Sequence, residues 1–323
     1  MKSEIKYIYI CTRLYNYNDK IQAEYLEEEI ISNTPYNVFV PFRDSNEHLL
    51  NGPNKTRIIY DTDIEKLNSS QIVLLAVLFD GLYKDEGISF EIGYAYGKGI
   101  PVFIINTDFI WYTINGVEFS FDPIISFMST GSLHYFKIIP CKTFKESLFY
   151  SQKQAFHLAV EKIKQILSSE IIIQKPIQNT FKRKSVFIDF GGCKYEYQRE
   201  NTLWIKEQLQ KHKISVNISN RYKLIQNTLS INQIGEKDIN NMLQAELFVC
   251  SGDEVEMNSG TASLLGLAKS VNKKIILYES SDIEILGENN HHMKKNLMID
   301  FSVTKTAKNK QQLLEMILEE LHV

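Results

Sequence analysis

Residues 72–105 read IVLLAVLFDGLYKDEGISFEIGYAYGKGIPVFII, in which two short apolar runs flank a longer segment. Ile72–Phe79 is a continuous apolar run of the length expected for a buried strand. Ser89–Lys98 predicts a helix that ends before Gly99, and Pro101–Ile105 predicts the next strand. A strand, a helix and another strand in this order predict a parallel βαβ unit.

The same alternation extends through both halves of the chain. In the first half it predicts strands at Ile5–Cys11 and Asn37–Pro41, and helices at Lys20–Ile31, Arg57–Leu67 and Phe144–Leu167. In the second half the order starts again, with strands at Ser185–Asp189, Ile214–Ile218, Glu246–Cys250 and Lys274–Tyr278 and helices at Glu200–His212, Gly235–Gln244, Thr261–Val271 and Lys310–Leu321. The repeated order predicts an internal duplication.

This duplication predicts an α/β fold with two tandem flavodoxin-like or Rossmann-like domains, each a parallel sheet flanked by helices. We place the domains at residues 1–167 and 185–323. Residues 168–184, which contain Pro176 and lack helical periodicity, are predicted to be a linker. The two domains are expected to pack as an intramolecular pseudo-dimer, and further assembly into a homo-oligomer is left open.

The composition is that of a globular protein, with 44% apolar residues, 23% charged residues and a formal net charge of −3. This charge is too small to gather a nucleic acid polymer. The longest apolar run is Ile72–Phe79, which is too short to span a membrane. The four cysteines form no C-x-x-C pair and have no histidine at metal-ligand spacing. We therefore expect a cytoplasmic protein without a metal site and without a nucleic acid or membrane partner.

Three carboxylates belong to segments that meet at one edge of the predicted sheet. Asp63 lies on a predicted helix, Asp85 lies on the loop after the strand Ile72–Phe79, and Glu91 lies in the first turns of the next helix. Ligands of open α/β sheets bind outside the carboxyl ends of the strands. Carboxylates there suit the cleavage of a C1'–N bond, because they stabilise positive charge at C1' and protonate the departing base. Taken alone, Glu91 is also typical of a residue that compensates a helix dipole.

The whole string is more specific than its parts. Residues 80–95 read D-G-x-x-x-D-x-G-x-x-F-E-I-G-Y-A and are followed by G-I-P-V at residues 99–102. Together with Y-I-Y-I at residues 7–10 and V-F-V-P at residues 38–41, this pattern resembles the nucleoside 2-deoxyribosyltransferase family over about residues 1–145.

The resemblance implies a role for each matching residue. The glutamate of E-I-G-Y-A is the nucleophile in the family, which implies that role for Glu91. By the same match, Asp85 and Asp63 work at the base, and Tyr9 donates a hydrogen bond to the nucleophile. Gly87 and Ser89 fall in the substrate-binding stretch, although Ile88-Ser89 stands where many members have a threonine after the glycine. No cofactor is expected, because the carboxylates supply the chemistry.

The second half resembles the same family without its chemistry. At the positions that match Glu91, Asp85 and Tyr9 it has Leu264, Asn258 and Phe187. Asp238 keeps the place of Asp63. Because leucine cannot attack C1', this half is predicted to be inert by itself.

The second half keeps a different element. Family members complete each site with an asparagine of an N-x-M motif from a neighbouring subunit, and residues 296–298 read N-L-M. The matching stretch of the first half begins at Asp122 and lacks both residues. We therefore expect Asn296 and Met298 to act as a lid that binds the 5' end of the sugar at the first-half site.

The function predicted is transfer of deoxyribose from a nucleoside to a free base through an ester of Glu91. The alternatives are hydrolysis of 2'-deoxynucleosides or of their 5'-monophosphates, and a module that senses nucleotides. Asn296 favours a free 5'-hydroxyl, whereas Arg13 or the polar run at residues 129–132 would favour a 5'-phosphate. Base preference is left open.

Overall fold

The computed structural model describes residues 5–13, 16–45, 49–50, 52, 54–81, 84–114, 117–169, 176–178, 181–219, 221, 229–281, 285–286, 292–293 and 295–323. Residues 170–175 and 179–180 of the predicted linker lie outside this part of the chain.

The first half contains a parallel sheet and its flanking helices. In chain order its elements are β1 (Tyr7–Cys11), α1 (Tyr17–Asn33), β2 (Asn37–Phe39), α2 (Pro41–Asp44), α3 (Lys55–Leu67), β3 (Ile72–Leu78), α4 (Glu86–Lys98), β4 (Val102–Asn106), β5 (Tyr112–Ile114), β6 (Val117–Phe119), α5 (Pro123–Met128), β7 (Gly131–His134) and α6 (Phe144–Ser168).

The second half repeats this arrangement. Its elements are β8 (Lys182–Asp189), a short 3-10 helix (Gly191–Cys193), α7 (Glu196–Lys211), β9 (Ser215–Ile218), α8 (Ile231–Gln244), β10 (Ala245–Ser251), α9 (Ser259–Ser270), β11 (Lys274–Tyr278), β12 (Ile285–Leu286), β13 (His292–Met293), α10 (Leu297–Asp300), β14 (Lys305–Ala307) and α11 (Lys310–Glu320).

The two five-stranded sheets have the same strand order. The first sheet runs β2-β1-β3-β4-β7, and the second, read from its β9 edge, runs β9-β8-β10-β11-β14. All neighbouring strands in both sheets are parallel. The order 2-1-3-4-5 is that of flavodoxin-like proteins. The predicted α/β fold class is therefore confirmed, and the matching orders agree with an internal duplication.

Each sheet has its own hydrophobic core on one face. In the first half, α1 and α6 cover the sheet with buried side chains that include Leu26, Ile30, Phe156 and Ile163. In the second half, α7 and α11 do the same with side chains that include Ile205, Leu209, Leu313 and Ile317. The apolar residues of these helices are three and four positions apart, so they share one helix face, and this face packs against the sheet.

The described chain forms two compact units, and each of them combines three separate stretches of the sequence. Unit 1 comprises residues 1–84, 98–110 and 129–175, and unit 2 comprises residues 85–97, 111–128 and 176–323. Unit 2 therefore contains α4 up to Gly97 and α5 of the first half together with the whole second sheet.

Several short elements were not predicted from the sequence. These elements are the hairpins β5-β6 and β12-β13, the helices α2, α5 and α10, and the edge strands β7 and β14. The polar run at residues 129–132, considered as a phosphate-binding loop, instead leads into β7, which pairs with β4. All of these segments are too short or too polar to carry a hydrophobic period, and the strands among them are defined by their pairing rather than by local pattern.

Candidate functional site

The motif helix α4 begins at a side-chain cap. Asp85 lies immediately before the helix, and its Oδ1 atom accepts the N–H of Ile88 at 2.9 Å. The hydroxyl of Ser89 donates to the carbonyl oxygen of Asp85 at 2.7 Å. Aspartate is among the residues preferred at this position, because it satisfies N–H groups that the helix leaves unpaired. The capping interaction accounts for the start of the helix at Glu86, three residues before the predicted start.

Glu91 lies in the second turn of α4, and the residue is only 7% exposed. Two residues later, a Cβ atom at Gly93 would overlap the carbonyl oxygen of Ser263 in α9. A Cβ atom at Gly266 would likewise overlap the carbonyl oxygen of Phe90. These paired glycines let the two helices approach backbone to backbone, as residues without a Cβ allow.

Asn296 of the second half lies against the motif helix. Its Oδ1 atom accepts the N–H of Met298 at 2.9 Å and so caps α10. A Cβ atom at Gly87 would lie 2.6 Å from Asn296 Nδ2, which means that this side chain occupies the space that a larger residue would fill. Met298 itself is buried. The structure thus brings Asn296 to the segment that contains Asp85, Gly87 and Glu91.

Burial changes the acidity of Asp85. Loss of hydration raises the pKa of Asp85 to about 6, and the neighbouring carboxylates of Glu86 and Glu256 act in the same direction. The hydrogen bond from the Ile88 N–H opposes the shift, because it stabilises the charged form. A carboxyl with this pKa can hold and release a proton near neutral pH.

The other predicted site residues belong to unit 1. Tyr9 lies in the middle of β1, fully buried, with its ring centroid 5.2 Å from that of Phe39. Asp63 is buried on α3, where its Oδ1 atom accepts the hydroxyl hydrogen of Ser45 at 3.0 Å. The roles at the substrate of all the predicted site residues, those of unit 2 as well as Tyr9 and Asp63, remain predictions.

The counterpart positions of the second half reproduce these local contacts. The hydroxyl of Ser219 donates to Asp238 at 2.6 Å, as Ser45 does to Asp63. Asn258 caps α9 by accepting the N–H groups of Gly260 and Thr261, in the place of Asp85.

The segment predicted to act as a lid also has a counterpart in the first half. Asp122 accepts the N–H of Ile124 at 2.9 Å, as Asn296 accepts that of Met298. A Cβ atom at Gly260 would overlap the carboxylate of Asp122. The two halves therefore share one site architecture with different side chains.

Arg221 occupies the middle of this counterpart site. The residue is 0% exposed, and its Nε atom lies 3.2 Å from Asp122 Oδ2. Its Nη1 atom lies 2.9 Å from Asp189 Oδ2, and its Nη2 atom donates to Asn258 Oδ1 at 2.8 Å. Sequence reasoning missed Arg221, because its segment has no periodicity and its partners come from distant parts of the chain.

Arg13 and the polar run at residues 129–132, the candidate phosphate-binding groups, form contacts with other residues of unit 1. Arg13 lies 3.5 Å from Asp19, and the cavity that it lines also contains Asp80. A cavity with two aspartates and one arginine is poorly suited to a phosphate, because the carboxylates repel it. In the polar run, Ser129 donates to the carbonyl oxygen of Gly131, and Thr130 accepts the N–H of Val102.

Within the described ranges, no three His, Cys, Asp or Glu side chains cluster in a way that would hold a metal ion. No described helix has both the length and the apolar character of a membrane span.

The fold and the motif helix define an α/β protein with the flavodoxin strand order and a glutamate-bearing helix between β3 and β4. The family model described as Nucleoside 2-deoxyribosyltransferase matches residues 8–137, so the predicted resemblance is confirmed for the first half of the chain. No curated protein matches the sequence.

Two solved structures are similar to the chain at low sequence identity. A conserved protein from Enterococcus faecalis V583 is 17% identical, with a TM-score of 0.36, and the match covers 43% of this chain and 99% of that chain. The C-terminus of RcsC from E. coli, with its linker region and phosphoreceiver domain, is 9% identical, with a TM-score of 0.24, over 98% of this chain and 94% of that chain. Similarities at this level carry no argument about function.

Proposed function

We propose that this chain cleaves the N-glycosidic bond of a 2'-deoxynucleoside at Glu91 and transfers the sugar to a second free base. The observation that carries the proposal is the position of Asn296 against Gly87, one helical turn before Glu91. The half with the glutamate and the half with the asparagine lid supply complementary parts of one site.

The chemistry follows from the side chains. A Glu91 carboxylate oxygen attacks C1' while the C1'–N bond breaks, and the bonding electrons leave with the base. Asp85 supplies the proton that neutralises the departing base, which its pKa of about 6 supports. The second base then attacks C1', the bond between C1' and Glu91 breaks with its electrons returning to the Glu91 carboxylate, and the proton of the second base passes to the Asp85 carboxylate. The family resemblance assigns Asp63 to the base and Tyr9 to the nucleophile.

Several features support transfer from a donor with a free 5'-hydroxyl. Asn296 is a neutral side chain, which suits a hydroxyl better than a dianionic phosphate. Arg13 is already engaged with Asp19, which leaves it less suited to bind a phosphate. The partners proposed are therefore a nucleoside and a free base. A reducing cytoplasm is the proposed location, and it fits four cysteines that are all free thiols.

The counterpart site supports one working site per chain. Leu264 has no nucleophilic atom, and the guanidinium of Arg221 lies between Asp122, Asp189 and Asn258. A nucleoside would have to displace a buried arginine with its ion pairs, which is costly.

The test is incubation with a panel of 2'-deoxynucleosides and their 5'-monophosphates, with and without a second free base. We expect a new nucleoside only when the second base is added. Glu91→Gln, which keeps the shape of the side chain, should lose this activity by a factor of at least about 10³. Glu207→Gln, an exposed position on α7, is the matched control and should leave it unchanged.

Each other outcome has a clear meaning. Free base released without an acceptor would make the protein a hydrolase. Turnover of the 5'-monophosphates and not of the nucleosides would mean that the Asn296 segment binds a 5'-phosphate. If no donor reacts with the wild-type protein, a nucleotide-sensing role replaces the enzymatic one.

A further inference from the structure

A second acidic residue of the motif helix connects it to the lid. Glu86 is the first residue of α4, and it is only 4% exposed. Its Oε1 atom accepts the main-chain N–H of Asn296 at 2.8 Å, and its Oε2 atom accepts the main-chain N–H of Met257 at 2.6 Å. Both donors come from the second half, and all three residues belong to unit 2.

The two hydrogen bonds hold the start of two helices. Asn296 is the residue before α10, and Met257 directly precedes Asn258, the cap of α9. Hydrogen bonds to a carboxylate are stronger than those between neutral groups. The carboxylate of Glu86 therefore fixes the main chain of Asn296 beside Gly87, where the Asn296 side chain lies.

An acidic residue in a first helical turn is ordinarily explained by the helix dipole. The two hydrogen bonds of Glu86 add a specific function, since its side chain contacts segments that lie 171 and 210 residues away along the chain. The matching position of the second half, directly after Asn258, is Ser259, whose side chain has no carboxylate. The carboxylate is therefore present in the half that keeps the nucleophile.

We propose that Glu86 is a positioning residue, which holds Asn296 at the first-half site and thereby sets the affinity for the 5' end of the donor. This inference rests on the proposed function. Glu86 acts through Asn296 and takes no part in bond making.

The test is a double-mutant cycle with Glu86→Gln, Asn296→Ala and the double variant, measured with a deoxynucleoside donor. Glutamine keeps one oxygen acceptor and the side-chain shape but loses the charge. We expect Glu86→Gln to raise KM for the donor about tenfold with kcat changed less than about threefold. In the Asn296→Ala background the same change should add less than about twofold, because the residue it positions is gone. Effects that multiply in the double variant would overturn the proposal.

A second measurement does not depend on activity. Hydrogen exchange at the amides of Met257 and Asn296 should accelerate at least about tenfold in Glu86→Gln, because both lose a charge-assisted acceptor. Exchange in β3 should stay unchanged in the same sample, which shows that the fold is intact. Unchanged exchange at Met257 and Asn296 would overturn the positioning role even if the wild-type protein transfers deoxyribose. Accelerated exchange in a protein without turnover would instead show that the proposed function alone is wrong.

Discussion

The Nε atom of Arg221 lies 3.2 Å from a carboxylate oxygen of Asp122, and both side chains are buried. Asp122 comes from the first half and stands where the second half has Asn296, while Arg221 comes from the second half. The first half thus has an aspartate at the position where the second half has an asparagine, and the buried Arg221 neutralises the charge of this aspartate. Asn296 lies against Gly87 of the motif helix, and Asp122 at the matching position forms an ion pair with Arg221.

Replacement of Arg221 by alanine should destabilise the protein strongly. The change leaves Asp122 and Asp189 buried without their cation, which costs about 3–5 kcal/mol of the free energy of unfolding. Urea denaturation of Arg221→Ala measures this loss. Arg57→Ala removes an exposed pair with Asp61, which water screens, and should leave the free energy of unfolding nearly unchanged. Equal losses in the two variants would contradict a structural role for the buried network.

Asp238 should make the stability of the protein depend on pH. Burial raises the pKa of Asp238 from its ordinary value of 3.8 to about 7, with Asp189 and Asp122 acting in the same direction and Arg221 and Ser219 opposing. The native state thus holds this proton between about pH 4 and pH 7, whereas the unfolded state releases it. The contribution to stability is full below pH 4 and is lost as the pH rises through 7.

Asp238→Asn tests this dependence, because asparagine keeps an oxygen that accepts the hydroxyl of Ser219. The difference in the free energy of unfolding between wild type and variant should change between pH 5 and 7 by up to about 1.4 kcal/mol per pH unit. Above pH 8 the difference should be constant. A difference that is flat from pH 5 to 8 would show that the Asp238 pKa is ordinary.

Asp85 should control the pH dependence of base release. In the proposed reaction Asp85 protonates the departing base, and with a pKa of about 6 its carboxyl is mostly protonated only below that pH. We expect kcat/KM for the donor to fall as the pH rises above 6. Asp85→Asn, which can still cap α4, should lower the rate by about 10²-fold or more and abolish this limb of the profile. If the variant keeps the same limb, another group supplies the proton.

Gly93 should resist replacement by alanine, although alanine is the better helix former. In an exposed helix the change would stabilise by up to about 1 kcal/mol. Here the added Cβ atom would overlap the carbonyl oxygen of Ser263, and we expect a loss of about 1–3 kcal/mol instead. Thermal denaturation distinguishes the two signs. A stabilised Gly93→Ala variant would mean that α4 and α9 do not approach each other closely.

The sequence predicted the main strands and helices because their signals are local. A buried parallel strand such as Ile72–Leu78 needs a continuous apolar run, and a helix such as α6 needs apolar residues three and four apart. The motif around Glu91 and the loss of its counterpart at Leu264 were also visible, since both depend on residue identity at fixed spacing. The edge strand β7 was missed, because its sequence GSLH has no apolar period and its pairing with β4 defines it.

By itself, the sequence determined the duplicated α/β order and the intact and altered sets of site residues. The tertiary structure decided how the set in unit 2 is assembled: Asn296 against Gly87, the carboxylate of Glu86 on two distant amides, and Arg221 in the counterpart site. Local patterns record which face of a helix or strand is apolar. They do not indicate which buried polar groups meet when about 100–200 residues of chain separate them, because folding alone brings those partners within hydrogen-bonding distance.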